Sequence, residues 1–212
     1  MTGTFTPTFA DEFNGTSLNT ANWTPGWFGS GVSGPVNGSE THPYNSTNVS
    51  VPGDGSLHLA LTSSYGSLVS SNGHFSFSGP GAMEASVYLP GNSTGTIYNW
   101  PAVWTDGQSW PANGEVDTME GLGGSAAFHV HTNAGGPGGT VQGNFVGWHT
   151  FGYRWSGTTI SFYYDGRLVG SEPYSTNNAP QYLILDNSTG TYGGPTVTPS
   201  TMLVDYVRVW KG

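Results

Sequence analysis

Apolar residues recur along the chain in short runs, some alternating with polar ones and some continuous, and each run is bounded by Gly, Pro, Asn or Ser. Leu57–Leu61, Ala82–Leu89, Ala126–Thr132, Thr159–Asp165, Tyr182–Leu185 and Met202–Trp210 read as strands on this pattern. Between Phe162-Tyr163-Tyr164 and Arg167-Leu168-Val169 the dipeptide Asp165-Gly166 predicts a two-residue hairpin, because glycine tolerates the positive φ of a type I′ turn. No window long enough for a stable helix carries a helical apolar period free of Gly or Pro. Strands must therefore pack on strands, and the predicted fold is all-β: two antiparallel sheets face to face, a sandwich of the jelly-roll, lectin-like type. One domain over residues 1–212 is expected. The Gly-rich stretches Gly29–Gly38, Gly121–Gly124, Gly135–Gly143 and Gly190–Gly194 read as rim loops.

Composition narrows the chemistry. With 34 Gly, 14 Pro and only 8% charged residues, a coiled coil or a charge-rich disordered tail is excluded. The absence of Cys removes disulfides, thiolate metal sites and cysteine nucleophiles. A net charge of −9 with four basic residues rules against nucleic-acid binding, which needs clustered Lys and Arg. No apolar stretch is long enough to span a membrane, and Met1-Thr2-Gly3 lacks the start of an export signal. Aromatic residues make up 14% of the chain, eight of them Trp, more than a core of this size needs. Flat apolar rings with polar edges suit the faces of sugars, so a neutral, hydroxyl-rich ligand is expected.

The thirteen acids average fewer than one per six-residue window, yet Glu115-Val116-Asp117-Thr118-Met119-Glu120 holds three. In a flat strand Glu115 and Asp117 share a face and Glu120 points away. A β-bulge between Asp117 and Glu120 shifts the parity by one and brings all three to the same side. Two acids flanking a third then approach the ~5–5.5 Å separation of double-displacement glycoside hydrolysis. Glu115 is the candidate nucleophile and Glu120 the candidate acid/base. Asp117 hydrogen-bonds Glu115 and helps to keep Glu120 protonated by like-charge repulsion. The competing explanations are a solvated acidic strand face and a calcium site, although Val116, Thr118 and Met119 suit a strand better than a calcium loop.

Gly114–Glu120 resembles the Glu-X-Asp-X-X-Glu signature of glycoside hydrolase family 16 in its bulged, laminarinase-like form. Asp11-Glu12-Phe13-Asn14-Gly15, Trp100-Pro101-Ala102-Val103-Trp104, Trp148-His149-Thr150-Phe151, Tyr164-Asp165-Gly166 and Val204–Trp210 agree in order, so the resemblance spans nearly the whole chain. It implies the same three roles for Glu115, Asp117 and Glu120, an open cleft across a concave sheet, and internal cleavage of β-1,3- or mixed β-1,3/1,4-glucan with retention. No cofactor is then required for the chemistry, and the expected partner is a polysaccharide bound by a secreted monomer. The resemblance also implies a His beside the acid/base, with His131 favoured over His129. It further implies a structural Ca²⁺ near the termini, with Asp205 and main-chain oxygens from the neighbourhood of Glu12 as ligands.

Trp100 and Trp104 are four apart and share a strand face, so both are expected to floor the cleft, with Trp110 nearby. Trp148 and Trp155 are expected in packing. His129 and His131 share a face as well, a spacing that by itself is weak evidence for a metal. Where many members of the family carry Glu-X-Arg-X-Lys on a cleft-forming strand, this chain reads Glu84-Ala85-Ser86-Val87-Tyr88, which puts substrate preference in doubt. Two readings compete with a β-glucanase: a catalytically silent carbohydrate-binding module on the same sandwich, and a hydrolase or transglycosylase acting on galactan or xyloglucan.

Overall fold

The computed structural model describes residues 5–212; the segment Met1-Thr2-Gly3, whose export-signal reading is given above, lies outside them. The strands run β1 (Thr6–Asp11), β2 (Val32–Ser33), β3 (Tyr44–Asn45), β4 (Val49–Ser50), β5 (Leu57–Leu61), β6 (Ser67–Ser70), β7 (Gly81–Leu89) and β8 (Trp100–Gly107). They continue with β9 (Glu115–Leu122), β10 (Ser125–His131), β11 (Gly138–Thr140), β12 (Gly147–Trp155), β13 (Thr159–Tyr164), β14 (Arg167–Pro173), β15 (Gln181–Ser188) and β16 (Ser200–Lys211). Among the described residues the only helix is the short 3₁₀ turn Ser46–Asn48. Every run expected as a strand is one, with ends displaced by at most three residues. The loop reading holds only in part: Gly135–Gly143 contributes β11 through Gly138–Thr140, Gly29–Gly38 contains β2, and Gly121 and Leu122 end β9.

Two antiparallel sheets carry the fold. One has the order β14-β13-β12-β7-β16-β5-β4, with β1 also on β16; the other is β11-β10-β9-β8-β15-β6. Leu57, Leu59, Val87, Phe151, Ile160 and Phe162 from the first sheet meet Val103, Val116, Met119, Val130, Leu183 and Leu185 from the second, all essentially inaccessible to water. The predicted hairpin forms, with Tyr164 opposite Arg167 and both Asp165 and Gly166 at positive φ (49° and 72°), as a type I′ turn requires.

The six-stranded sheet is covered in part on its other side too. A second cluster of Tyr44, Leu68, Ala102, Trp104, Tyr182 and Ile184 packs against Trp27 and Val36 from the long segment between β1 and β3. This explains why β15 is buried at all eight positions and why its sequence does not alternate. What the roof leaves open on this sheet is a cleft over β8, β9 and β10.

Candidate active site

On β9 the register slips. Val103 of β8 faces Met119 and the next residue, Trp104, faces Asp117, so Thr118 has no partner on that side. Against β10 the pairs are Ala127 with Glu120 and His129 with Asp117, leaving Thr118 and Met119 opposite Phe128 alone. This is a β-bulge where the acid spacing predicted one, and Val116 and Met119 stay in the inter-sheet core while Glu115, Asp117 and Glu120 reach the cleft side. Gly114 opens the strand at φ +81°, and a Cβ there would collide with Tyr174 and Thr176, so only glycine lets β9 begin at this point. The bulge also has a tether: the Tyr164 hydroxyl, donated from the opposite sheet, is shared between the carbonyl oxygens of Thr118 (3.0 Å) and Ala127 (2.8 Å).

Asp117 lies at the centre of the triplet. Its donor atoms fall within 4.8 Å of Glu115 and His131 on one side and of Glu120 and His129 on the other. Burial, then repulsion from Glu120, raises the Asp117 carboxyl well above its usual range; burial, then Asp117, raises Glu115. The two carboxyls perturb each other and titrate as a pair, Asp117 being the more deeply buried (4% exposed). Glu120 is held at both oxygens, with Trp100 Nε1 donating to Oε1 (3.1 Å) and His129 Nδ1 paired with Oε2 (3.1 Å).

The histidines are therefore reversed from the sequence expectation. His129, not His131, contacts the acid/base candidate, because the pairing of β10 places residue 129 beside the bulge; His131 instead puts Nε2 3.3 Å from Asp117 Oδ2. The cleft encloses about 810 Å³. Trp100, Trp104 and Trp110 all line it as expected, but Trp104 is only 8% exposed, since Trp27 stacks over it (5.4 Å, 20°) and Asp186 Oδ1 accepts its Nε1–H (2.8 Å). Trp110 (61% exposed) and Tyr192 (60%) are the open rings. Sequence reasoning missed Trp27, Tyr192, Asp106 and Asp186. The two aromatics sit in or beside Gly-rich loops whose course no periodicity reports, and the acids stand alone in sequence.

Two further expectations are corrected. Trp148 is half exposed on β12 and meets Tyr88 edge-on (5.9 Å), because it falls on the outer face of the first sheet; Trp155 is core as predicted. The segment Glu84–Tyr88 belongs to β7 at the centre of that same sheet, so it forms no part of the cleft and its missing Arg bears on no sugar contact there. Both Glu12 carboxylate oxygens accept from Arg208, at 2.8 and 2.7 Å, and the guanidinium lowers the Glu12 pKa. The Glu12 carboxylate is thereby committed to Arg208, and Asp205 stands exposed at a bulge of β16.

Comparison with known proteins agrees with this geometry. The family profile described as Glycosyl hydrolases family 16 matches residues 37–207. The chain is 30% identical to the glucan endo-1,3-beta-glucosidase A1 of Niallia circulans, over 95% of this chain and 37% of that protein. It is 32% identical to the keratan-sulfate endo-1,4-beta-galactosidase of Sphingobacterium multivorum, over 53% of this chain and 33% of that protein. It thus spans about a third of the length of these two curated relatives. The endo-beta-1,3-glucanase of Pyrococcus furiosus superposes with a TM-score of 0.80 at 28% identity, covering 98% of this chain and 94% of that one.

Proposed function

The chain belongs to glycosyl hydrolases family 16, and from that membership we propose that it cleaves β-1,3- or mixed β-1,3/1,4-glucan internally, with retention, through Glu115 and Glu120. The observation that carries this is the bulge at Thr118, which gathers three carboxylates under one aromatic-lined cleft. In the first step the Glu115 carboxylate attacks the anomeric carbon while Glu120 gives its proton to the glycosidic oxygen; the C–O bond breaks, and a glycosyl ester and an alcohol result. In the second, Glu120, now ionised, takes a proton from water, whose oxygen attacks the same carbon and releases Glu115. Asp117 stands beside Glu115 as its buried partner, fixes the nucleophile's orientation, and the two carboxyls titrate as a pair. Trp100 and His129 hold Glu120 at its two oxygens, and Trp110 and Tyr192 offer faces to successive sugars. No redox or nucleotide cofactor enters these steps, and a polymeric substrate outside the cell makes this a secreted enzyme.

A silent binding module has no use for this triplet. Glu115→Gln retains the volume and removes the nucleophile, so the release of reducing ends from laminarin and barley β-glucan is expected to fall by at least ~10⁴-fold with the unfolding temperature little changed. Turnover near the wild-type rate would end the assignment.

A further inference from the structure

Asp117 Oδ2 is fully buried and has no hydrogen-bond partner. His131 Nε2 is 3.3 Å away but does not meet it in hydrogen-bonding geometry, in contrast to His129 and Glu120, which satisfy each other. One carboxylate oxygen each of Glu115 and Asp117 and one ring nitrogen of His131 all lie within 4.8 Å of one another. An unpaired carboxylate oxygen and an imidazole nitrogen at this separation match one edge of a metal coordination sphere: bonds of about 2.0–2.2 Å meeting at a tetrahedral angle put neighbouring donors about 3.4 Å apart. The His131 ring backs onto Gly136, where a Cβ would come within 2.6 Å of Nδ1, so the turn leaves Nε2 facing the acids. No Lys or Arg lines the cleft to compete for those acids, and Asp106 adds a further carboxyl nearby.

From this geometry we propose that Glu115, Asp117 and His131 form a binding site for a zinc-class divalent cation, and that the bound cation reversibly inhibits the enzyme by occupying its nucleophile. One nitrogen and two oxygen donors select zinc over magnesium or calcium, which take six or more oxygens, and the cleft leaves a fourth position for water. The inhibitory consequence rests on the assignment of Glu115 as nucleophile, whereas the binding does not.

Isothermal calorimetry with zinc chloride on the intact protein, run beside a laminarin assay, tests both. One equivalent of Zn²⁺ is expected to bind, hydrolysis to fall in step with occupancy, and EDTA to restore it. His131→Gln is expected to weaken binding by at least ~10-fold and His129→Gln by less than about 3-fold, with circular dichroism confirming the fold and Asp117→Asn as a second ligand removal. Absence of binding at millimolar zinc, unchanged affinity in His131→Gln and Asp117→Asn, or full activity at saturation would overturn the proposal. Zinc binding as described in a protein that cleaves no glucan would instead sink the functional assignment and leave the site standing.

Discussion

Asp106 occupies the end of β8, 6% exposed, where burial lifts its carboxyl to about 6 against partial relief from the Gly107 N–H (2.8 Å). Between the ordinary carboxylate pKa of roughly 4 and that value, the folded protein holds a proton the unfolded chain has released. Its contribution to stability is therefore full in mild acid and is lost as pH rises through that window, on the order of 2–3 kcal/mol in all. Asp106→Asn stays neutral, so thermal melts from pH 4 to pH 7 are expected to show a shallower decline than the wild type; parallel curves would refute the assignment. Residue scale is also where the sequence misleads most. Nothing in a two-residue spacing says which of His129 and His131 meets Glu120, because that depends on which residue β10 sets beside the bulge.

β9 shows an element whose defect is its function. The bulge leaves a backbone carbonyl at Thr118 off the ladder, and the Tyr164 hydroxyl reaches it through the core from β13. Tyr164→Phe removes that hydroxyl and leaves buried carbonyls short of a donor, at a cost of about 1–3 kcal/mol in stability. With the bulge free to shift, Glu120 loses its register to Glu115, and kcat is expected to fall about 10–100-fold while KM moves less than about 3-fold. Steady-state kinetics on laminarin, with a denaturation curve to separate the two effects, provide the check; an unchanged kcat would show that the tether is structural only. The bulge itself was legible from acid parity, but the tyrosine was not, since it is distant in sequence and reads as an ordinary core position of a hairpin strand.

Across the whole molecule, the cations are confined to one sheet. Arg154, Arg167, Arg208 and Lys211 all belong to the sheet opposite the cleft, on β12, β14 and β16, whereas Asp106, Glu115, Asp117 and Glu120 crowd β8 and β9 with Asp186 beside them. A cleft with acids and no cation repels anionic polymers, so sulfated or carboxymethylated glucans are expected to be cleaved at least ~10-fold more slowly than their neutral parents, the gap narrowing as salt rises toward 0.5 M. Equal rates on charged and neutral substrates at low salt would contradict this. The same placement of the cations separates this cleft from one built for a sulfated galactan, for which charge-assisted Arg contacts would be needed.

From its primary structure alone the chain declares an all-β sandwich, its hairpin and the carboxylate triplet, because side-chain alternation, turn chemistry and the clustering of acids are local properties readable within a few residues. Three-dimensional packing decided the rest: the roof of Trp27 over Trp104, the exposure of Trp148, the pairing of Glu12 with Arg208 and the exchange of roles between the histidines. Each joins segments far apart in sequence, or turns on the register and layer of a strand, and these are set by which sheets meet and how loops close over them.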